Sequence, residues 1–535
     1  MKKLLLVLVC WCQWSLAQNF PITWGPLERS NGLLLDILPK KNLDFSTLRW
    51  TGGSSFGNYR LVSYENLSVL QQQKLKLVTE TGLCNFADAT SLGDGIVVFL
   101  SDRMKSNMML YGQMYDADLN VYNTKLLAEY ENPKFDAKPS FTIITSQNRK
   151  YVGIIWEKEG KGISSDFYGY KIFNESLEVV HEGQYDVPFD GNMSTINAHH
   201  ISNTGDYFIC LTEHNKPNDR VFTRNFENFK ALHVYKAGEK ELKEFSIDLA
   251  GKRVDDLVMS SNDVGAFALT GIYGTGNKSG IEGIFSIQID PNDHARNAQS
   301  FIPFGKEIVK ETWSLRQQDR YSNSGYVNDP MNMNNPGNFN SRNNYIPQMY
   351  DYRMRDFFTL ADGSIVGSLE QYYVYQRTSY DARTSFTNTI NYYYYDDVIA
   401  FRISKEGEMI WQKRIPKSQV STNDYGEFSS YCSFQSPQSM NFIFNDNLKN
   451  YDESGQFDRT PDNYYSFNLS KKNNAVALVK IDLETGNLTR ETMETRKELD
   501  AIVVPKLCRV DHFNKEILMY SIAGSQERFG ILNYK

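Results

Sequence analysis

Five carboxylates stand where apolar, strand-like segments end, as in "GIVVFLSDR" and "YVGIIWEKEG". They are Asp102, Glu157, Glu213, Glu370 and Asp446. Two carboxylates at a suitable separation can hydrolyse a glycosidic bond, and several can hold a divalent cation. Acids at strand ends are otherwise solvated hairpin residues. The pattern therefore predicts either an acidic site assembled from several strands or ordinary hairpin ends.

Tyrosine is concentrated in "QYYVYQRTSYDARTSFTNTINYYYYDD" (371–397), which has eight tyrosines in 27 residues. Exposed rings stack on sugars or fill pockets of a protein partner. Tyrosine also favours strands, so "YYYY" can equally be a strand with two rings inward and two outward. The candidate binding residues, beside the five acids, are Tyr372, Tyr373, Tyr375, Tyr393, Tyr395, Tyr464 and Tyr465.

Other chemical motifs are sparse. The chain contains no HExxH, GxSxG, Walker A or SxDxGxxW box. His199 and His200 in "STINAHHIS" form the notable histidine pair, but neighbours on a strand point to opposite faces and cannot share a metal unaided. We therefore predict no catalytic residue, no metal and no cofactor from motifs.

The N-terminus has the pattern of a secretory signal peptide. Two lysines precede an apolar run at 4–10, and "SLAQ" (15–18) offers small residues before a cleavage point after Ala17. The run is too short to span a bilayer, and no later stretch is apolar for long enough. Val9 and Trp11 precede Cys10 and Cys12, whereas a lipid-anchored cysteine follows a small residue. We predict a signal peptide at 1–17 and a periplasmic, outer-membrane-associated or secreted protein.

Charge and cysteine content narrow the class of protein. Loss of the two signal lysines changes the formal net charge from −7 to −9, which argues against nucleic-acid binding. Hydrophobic residues at 41% and aromatic residues at 13% suit a folded globular chain. The cysteines beyond the signal lack CxxC spacing, so we expect buried thiols or one bridge between neighbouring strands in an oxidising compartment. They are Cys84, Cys210, Cys432 and Cys508.

A strand–turn–strand motif repeats along the chain, as in "NYRLVSYENLSVLQQQKLKL", "FYGYKIFNESLEVVHEGQY" and "DVIAFRISKEGEMIWQKRI". Period-2 alternation around polar turns predicts hairpins. Turn residues Asn66, Asp116, Asn174, Gly238 and Asn292 fall 50, 58, 64 and 54 residues apart, and a second hairpin lies between consecutive turns. Four strands per unit at this period predict the blades of a β-propeller.

The fold prediction is therefore all-β, with a single propeller of four-stranded blades across 18–535. Eight blades follow if "ITWGPLE" (22–28) completes the C-terminal blade, and seven if the N-terminal unit is only the completing piece. A tandem of two β-sandwiches is the other architecture compatible with the pattern. Closure would remove edges that recruit other chains.

The long insertions are predicted to share one face. With strands A to D counted from the axis outward, B–C and D–A connections lie on the same side. The tyrosine run, 445–474 and 214–230 are B–C connections, and 305–356, an inserted mobile loop, is a D–A connection. Function on repeat scaffolds concentrates where insertions do, so this side is the predicted binding face.

The C-terminal third resembles a known family. The segments "LADGSIVGSLEQYYVYQ", "NYYYYDDVIAFRISKEGEMIWQKRIPKSQ", "SSYCSF" and "VVPKLCRV" look like an exported propeller family of Bacteroidota, with a WD40- or quinoprotein-like blade pattern. The resemblance covers about 355–535 well and the first half as a blade pattern. It implies a fold and an envelope location, and no reaction. "IDLETGNL" is similar to blade turns of quinone-type propellers, but the tryptophan docking positions are mostly missing, so no quinone site is implied.

These observations favour an exported cell-envelope binding or scaffold protein. Its elaborated, tyrosine-rich face would engage a protein or glycan partner, without nucleic acid and without a transmembrane segment in the mature chain. The alternative is a carbohydrate-active propeller enzyme, a glycoside hydrolase or lyase, that uses the acidic residues at the channel mouth.

Overall fold

The computed structural model shows an eight-bladed β-propeller of antiparallel sheets. It describes residues 20–535 except 42–43, 53–57, 135–137, 159–166, 190–192, 218–227, 239–240, 246, 276–279, 290–295, 306–307, 310–348, 350, 382–385 and 461–462. The predicted signal peptide at 1–17 and most of the predicted insertion at 305–356 lie outside these residues. No helix in the described part of the chain is long and apolar enough to cross a membrane.

Each blade lays its strands out in chain order, so strand A pairs with B, B with C and C with D. Blade 1 comprises Leu33–Pro39, Phe45–Trp50, Tyr59–Glu65 and Ser68–Lys74. Blade 2 comprises Asn85–Leu92, Gly95–Met104, Asn107–Tyr115 and Val121–Glu131. Blade 3 comprises Thr142–Thr145, Val152–Lys158, Phe167–Phe173 and Val179–Asp186. Blade 4 comprises Ser194–Ile201, Tyr207–His214, Phe229–Ala237 and Leu242–Phe245.

The second half repeats the arrangement with longer strands. Blade 5 comprises Lys252–Ser261, Phe267–Thr275, Gly283–Ile289 and Arg296–Pro303. Blade 6 comprises Tyr352–Thr359, Ile365–Asp381, Phe386–Ile403 and Met409–Ile415, with an added strand Gln419–Thr422. Blade 7 comprises Cys432–Gln435, Ser439–Asn447, Asn474–Asp482 and Leu488–Thr495. Elements outside the blades include a small hairpin (Val78–Thr79 and Gly82–Leu83), an α-helix (Arg496–Leu499) and the 3-10 turns Leu448–Asn450 and Pro505–Leu507.

Blade 8 closes the ring with both chain ends. Its strand A is split into Ile502–Val503 and Arg509–Asp511, and Glu516–Ala523 and Gln526–Asn533 follow as B and C. Strand D is Ile22–Trp24, in which Ile22 pairs with Leu532, and Glu28–Arg29 adds further pairing to strand C. The prediction that 22–28 completes an eighth blade is confirmed, whereas the seven-bladed and two-sandwich alternatives are wrong.

The core lies between neighbouring blades rather than inside one sheet. Leu48 and Leu61 of blade 1, for example, pack with Val98 and Leu100 of blade 2. Strand C of blade 5 is buried along its whole length, whereas the first half of strand D in blade 2 is exposed. Middle strands are therefore apolar on both faces, and outer strands keep a polar side.

Loop lengths differ between the two faces of the disc. The A–B and C–D turns are short, such as Asn66–Leu67, where both residues have positive φ. The long connections are B–C or D–A, including 448–473 of blade 7 and 416–431 between blades 6 and 7. Long loops therefore share one side, the elaborated face, as predicted. Strand A of blade 6 begins at Tyr352, so the segment 305–356 ends inside that strand.

Candidate binding site on the elaborated face

The tyrosine-rich run is a continuation of the two middle strands of blade 6. Strand A pairs with strand B only up to Gln371, and strand D pairs with strand C only from Val398 onward. The hairpin of strands B and C continues beyond both positions. Cross-strand neighbours in this extension are tyrosine pairs, including Tyr373 with Tyr394 and Tyr375 with Tyr392. The strand Gln419–Thr422 pairs with 392–395 and turns the extension into a three-stranded sheet. We call residues 371–397 the tyrosine hairpin.

One side of the hairpin packs inward. The rings of Tyr372 and Tyr395 lie 4.6 Å apart, and the ring of Tyr393 lies 5.5 Å from that of Tyr425. Tyr393 and Tyr395 are each only 8% exposed. Buried rings cannot meet a partner directly, so these two predicted binding residues support the hairpin from inside.

The other side of the hairpin is open to solvent. The rings of Tyr373 and Tyr394 stack at 4.5 Å with an interplanar angle of 9°, and Tyr375 lies 6.0 Å from Tyr392. Tyr375 is 55% exposed, while Tyr373 is half-buried and burial raises its pKa to about 12. Of the seven tyrosines at 372–375 and 392–395, three thus stand on the inward side and four on the open side, as the alternation of a strand requires.

The loop of blade 7 contributes the other two predicted tyrosines. The hydroxyl of Tyr464 donates to Asp397 Oδ1 at 3.0 Å, so this half-buried ring ties the loop to blade 6. Tyr465 is 48% exposed. Lys449 Nζ lies 5.5 Å and Arg459 Cζ lies 5.4 Å from the centroid of its ring. Tyr465 is therefore available at the surface and Tyr464 acts as an anchor.

Exposed apolar and aromatic side chains form a surface around the hairpin, which we call the tyrosine ledge. Its members are Val374, Tyr375, Val420, Tyr425 and Tyr465. Tyr375 and Val420 stand on the open side of the hairpin. Val374, opposite Tyr393, and Tyr425, which is 78% exposed and contacts Tyr393, lie on its inward side. Clustered large apolar side chains mark interaction sites more often than scattered ones, and this cluster extends over both sides of the hairpin. The sequence prediction missed Tyr425 because it stands alone in a polar loop.

The base of the hairpin is held by a buried ion cluster. Glu370 is fully buried, and its Oε1 lies 3.0 Å from Lys417 Nζ while its Oε2 accepts from Ser430 Oγ at 2.7 Å. Arg355 Nε lies 3.4 Å from the same carboxylate. Lys417 Nζ also donates to Tyr395 O at 2.7 Å. A buried carboxylate persists only when it is paired and hydrogen-bonded, so Glu370 positions the hairpin.

Lys506 joins the hairpin to blade 8. It stands on the 3-10 turn within the split strand A, and its Nζ donates to Tyr395 Oη at 2.7 Å and to Tyr425 O at 2.9 Å. The amine lies 4.1 Å from the centroid of the Tyr395 ring. Burial lowers the Lys506 pKa to about 8, and the nearby charges of Arg355 and Lys417 act in the same direction. The site thus spans blades 6 to 8.

The opposite end of the central channel is obstructed. Arg149, in the A–B turn of blade 3, donates from Nη1 to Pro39 O of blade 1 at 2.7 Å and reaches Asp511 of blade 8 at 3.6 Å. Its guanidinium lies over the Phe513 ring at 4.9 Å. His512 packs edge-on against Phe358 of blade 6 at 5.7 Å. These contacts join residues of blades 1, 3, 6 and 8 at the short-turn end of the channel.

The five predicted acids have separate environments. Asp446 is buried and accepts from Tyr451 Oη at 2.6 Å and from Arg490. Glu213 bonds Lys230 at 2.5 Å and His233 at 3.2 Å, and these bonds lower its pKa although burial opposes the shift.

Asp102 Oδ1 accepts from the backbone of Arg103 at 2.7 Å, and Glu157 is exposed. No contact within the described ranges joins two of the five acids. Glu370 is the one that lies against the predicted tyrosines.

The histidine pair consists of two half-buried residues that hydrogen-bond within the propeller. His199 Nδ1 bonds Tyr207 Oη at 2.8 Å and His200 Nε2 bonds Ser261 Oγ at 2.8 Å. Burial lowers the pKa of each imidazole to about 4. In the described part of the chain, no group of three or more His, Cys, Asp or Glu side chains could hold a metal ion. Cys84, Cys210 and Cys432 are buried thiols, and Cys508 is a half-buried one.

Comparisons with known proteins show a likeness of fold alone. No family model matches the chain, and no curated protein does. The WD40 domain of SCAP from fission yeast aligns over 96% of this chain and 94% of its own, with 8% identity and a TM-score of 0.36. An ulvan lyase, a polysaccharide lyase, aligns over 84% and 92%, with 8% identity and a TM-score of 0.34.

A puromycin hydrolase aligns over 77% of this chain with 11% identity and a TM-score of 0.34, and the chain spans about half of that protein's length. The propeller assignment therefore depends on the sheet topology described above. The resemblance to a Bacteroidota family stays a prediction.

Proposed function

We propose that the protein is an exported cell-envelope binding protein that engages a glycan through the tyrosine ledge. The observation that carries this proposal is the tyrosine hairpin with its third strand, Gln419–Thr422, in which exposed rings lie above a base of buried ion pairs. Rigid aromatic anchors lose little entropy on binding, and a few of them dominate the affinity of an interface.

The chemistry around the rings favours a glycan over a protein. Exposed amides and hydroxyls follow the tyrosines along the hairpin, with Gln376 opposite Asn391 and Thr378 opposite Thr389. Aromatic faces next to side chains that both donate and accept suit the apolar faces and hydroxyl groups of sugars. A protein partner remains an outcome of the test.

Export is the second component of the proposal. It is supported by the lysine-led apolar segment and the "SLAQ" sequence at 1–18. A location in the periplasm or at the outer membrane would place the ledge among envelope glycans.

The enzyme alternative finds no specific support in the geometry. Glu370 and Asp446 are occupied by Lys417 and Arg490, and they belong to different blades. A hydrolase needs two carboxylates that both reach the sugar within a defined separation. We therefore carry the binding function forward.

The test is capture of partners from envelope extracts by immobilised protein, followed by separate mass spectrometry of glycans and proteins. The variants are Tyr375→Ser and Tyr425→Asn, because the Tyr425 φ of +58° is a conformation that Asn tolerates. The matched control is Tyr122→Ser, a 59% exposed tyrosine on the outer strand of blade 2.

We expect a glycan that is lost from both ledge variants and retained by the control. If a protein instead is lost from both ledge variants and retained by the control, the partner is a protein rather than a glycan. Equal capture by all three variants would contradict the proposal.

A further inference from the structure

We infer that the floor of the ledge, formed by Lys506 and Arg355, is a subsite for an acidic group of the bound glycan, a carboxylate or a sulfate. This inference rests on the proposed glycan function and names the class of glycan. It concerns the channel mouth rather than the exposed rings.

The two cations have donors left over. Lys506 uses two of its three N–H groups for Tyr395 and the Tyr425 carbonyl. Arg355 uses Nε for Glu370 and Nη2 for Ser430 Oγ at 3.1 Å. Within the described ranges, Nη1 of Arg355 and the third N–H of Lys506 have no protein acceptor. Charge-assisted bonds to a planar carboxylate or a sulfate are the usual use of such donors.

The cations lie near each other and reach solvent. Both act on the Tyr395 hydroxyl, Lys506 by direct contact and Arg355 by its charge. The Arg355 side chain is 39% exposed, and Lys506 is an exposed residue. Arg355 belongs to strand A, which lines the channel, and Lys506 lies beneath the hairpin. An acidic group would therefore meet both cations on the inward side of the hairpin while a neighbouring sugar stacks on Tyr425, whose carbonyl Lys506 binds.

The full set of charges near Lys506 determines how strongly an anion is held. Lys417 and Arg355 add positive charge, whereas Glu370, Asp424 and Glu427 add negative charge. Lys417 and Arg355 both pair with Glu370, which removes most of its effect on a ligand. Glu427 is the opposing acid whose removal changes charge without breaking the ion cluster. A site for an acidic group should become stronger when Glu427 is neutralised.

The test uses two ligands with the same sugar backbone, the hexamer of galacturonic acid and its fully methyl-esterified form, which carries no carboxylate charge. Binding is measured by calorimetry at low salt, because exposed charges are screened at high ionic strength. The variants are Lys506→Met, Lys506→Arg and Glu427→Gln. The control is Lys471→Met, which removes a lysine that pairs with Asp500 at the surface.

We expect the acidic hexamer to bind the wild-type protein more tightly than its ester does. Lys506→Met should weaken the acidic hexamer about tenfold, the value of one lost charge-assisted bond, and change the ester less than about twofold. Lys506→Arg should restore binding, Glu427→Gln should strengthen it, and Lys471→Met should change neither ligand. Above pH 8 the wild-type affinity should fall as Lys506 loses its proton, whereas that of Lys506→Arg should not.

Equal affinity for both hexamers, absent binding of the acidic one, or insensitivity to Lys506→Met would overturn the inference. If the ester still binds in that case, and Tyr375→Ser weakens this binding, the proposed glycan function stands without the acidic subsite. If envelope capture were also unaffected by Tyr375→Ser, both the subsite and the proposed function would fail.

Discussion

Arg49 and Glu527 form a buried two-pronged ion pair that joins the first blade to the last. Arg49 Nη1 and Nη2 lie 3.0 and 2.7 Å from the two carboxylate oxygens, and both side chains are at most 4% exposed. The Tyr520 hydroxyl donates to the same carboxylate at 2.9 Å. Glu527 lies in strand C of the blade that both chain ends complete, so the pair ties that closing blade to blade 1.

Breaking this pair should destabilise the whole ring. Glu527→Gln leaves the Arg49 charge buried without a counter-ion, at a cost of roughly 3–5 kcal/mol. Urea unfolding of the variant and of the control Asp500→Asn, which removes an exposed partner of Lys471, measures this cost. The control should change by less than about 1 kcal/mol. Similar losses in both variants would mean that closure does not depend on the pair.

The half-buried imidazole of His200 should make the protein less stable in acid. Its pKa in the folded protein is about 4 against 6.5 when solvated, so the unfolded chain binds the extra proton between these values. The free energy of unfolding contributed by this group therefore falls as pH drops from 6.5 to 4, by roughly 1–2 kcal/mol after discounting for partial solvent contact.

Melting of wild-type protein and His200→Gln at pH 7 and pH 4.5 checks this sign. The variant should lose less stability than the wild-type protein on acidification. A larger loss in the variant would show that His200 is protonated in the folded state.

Inner and outer tyrosines of the hairpin should respond differently to truncation. Tyr395→Ser removes a ring that is 8% exposed and contacts Lys506, so it should cost roughly 3–5 kcal/mol of stability. Tyr375→Ser alters a ring that is 55% exposed and should cost less than about 1 kcal/mol. Thermal melts separate the two, and an early melt of Tyr375→Ser would make that ring part of the core.

The mature chain should begin at Gln18. The small residues of "SLAQ" predict cleavage after Ala17, and an N-terminal glutamine cyclises readily. Mass spectrometry of the N-terminal peptide from envelope fractions should therefore find Gln18 or its cyclic form. Recovery of a chain that still starts at Met1 from the cytoplasm would contradict export.

Local sequence patterns were sufficient to predict the blades and the closing strand. Apolar runs mark strands B and C because both of their faces are buried, and alternation with polar turns marks the half-exposed outer strands. The segment "ITWGPLE" was identified because the last three strands lacked a fourth. The tyrosine run was correctly placed between strands B and C of one blade.

Contacts between blades were not predictable in this way. Glu370 reads as a solvated strand end, but Lys417 and Ser430 reach it from a loop whose path no periodicity reveals. Tyr393 and Tyr395 are buried because that loop and Lys506 fold against them. Arg149 obstructs the channel from a polar turn that looks unremarkable in the sequence. Each of these depends on residues far apart in the chain.

Site-specific photo-crosslinking in living cells tests the central claim most directly. A photoreactive aromatic residue replaces either Tyr375 on the ledge or Tyr122 on the outer strand of blade 2, two tyrosines of similar exposure (55% and 59%). We expect a crosslinked glycan adduct at position 375 and none at position 122. Adducts at 122 alone, or at both positions equally, would contradict a binding face built on the tyrosine hairpin.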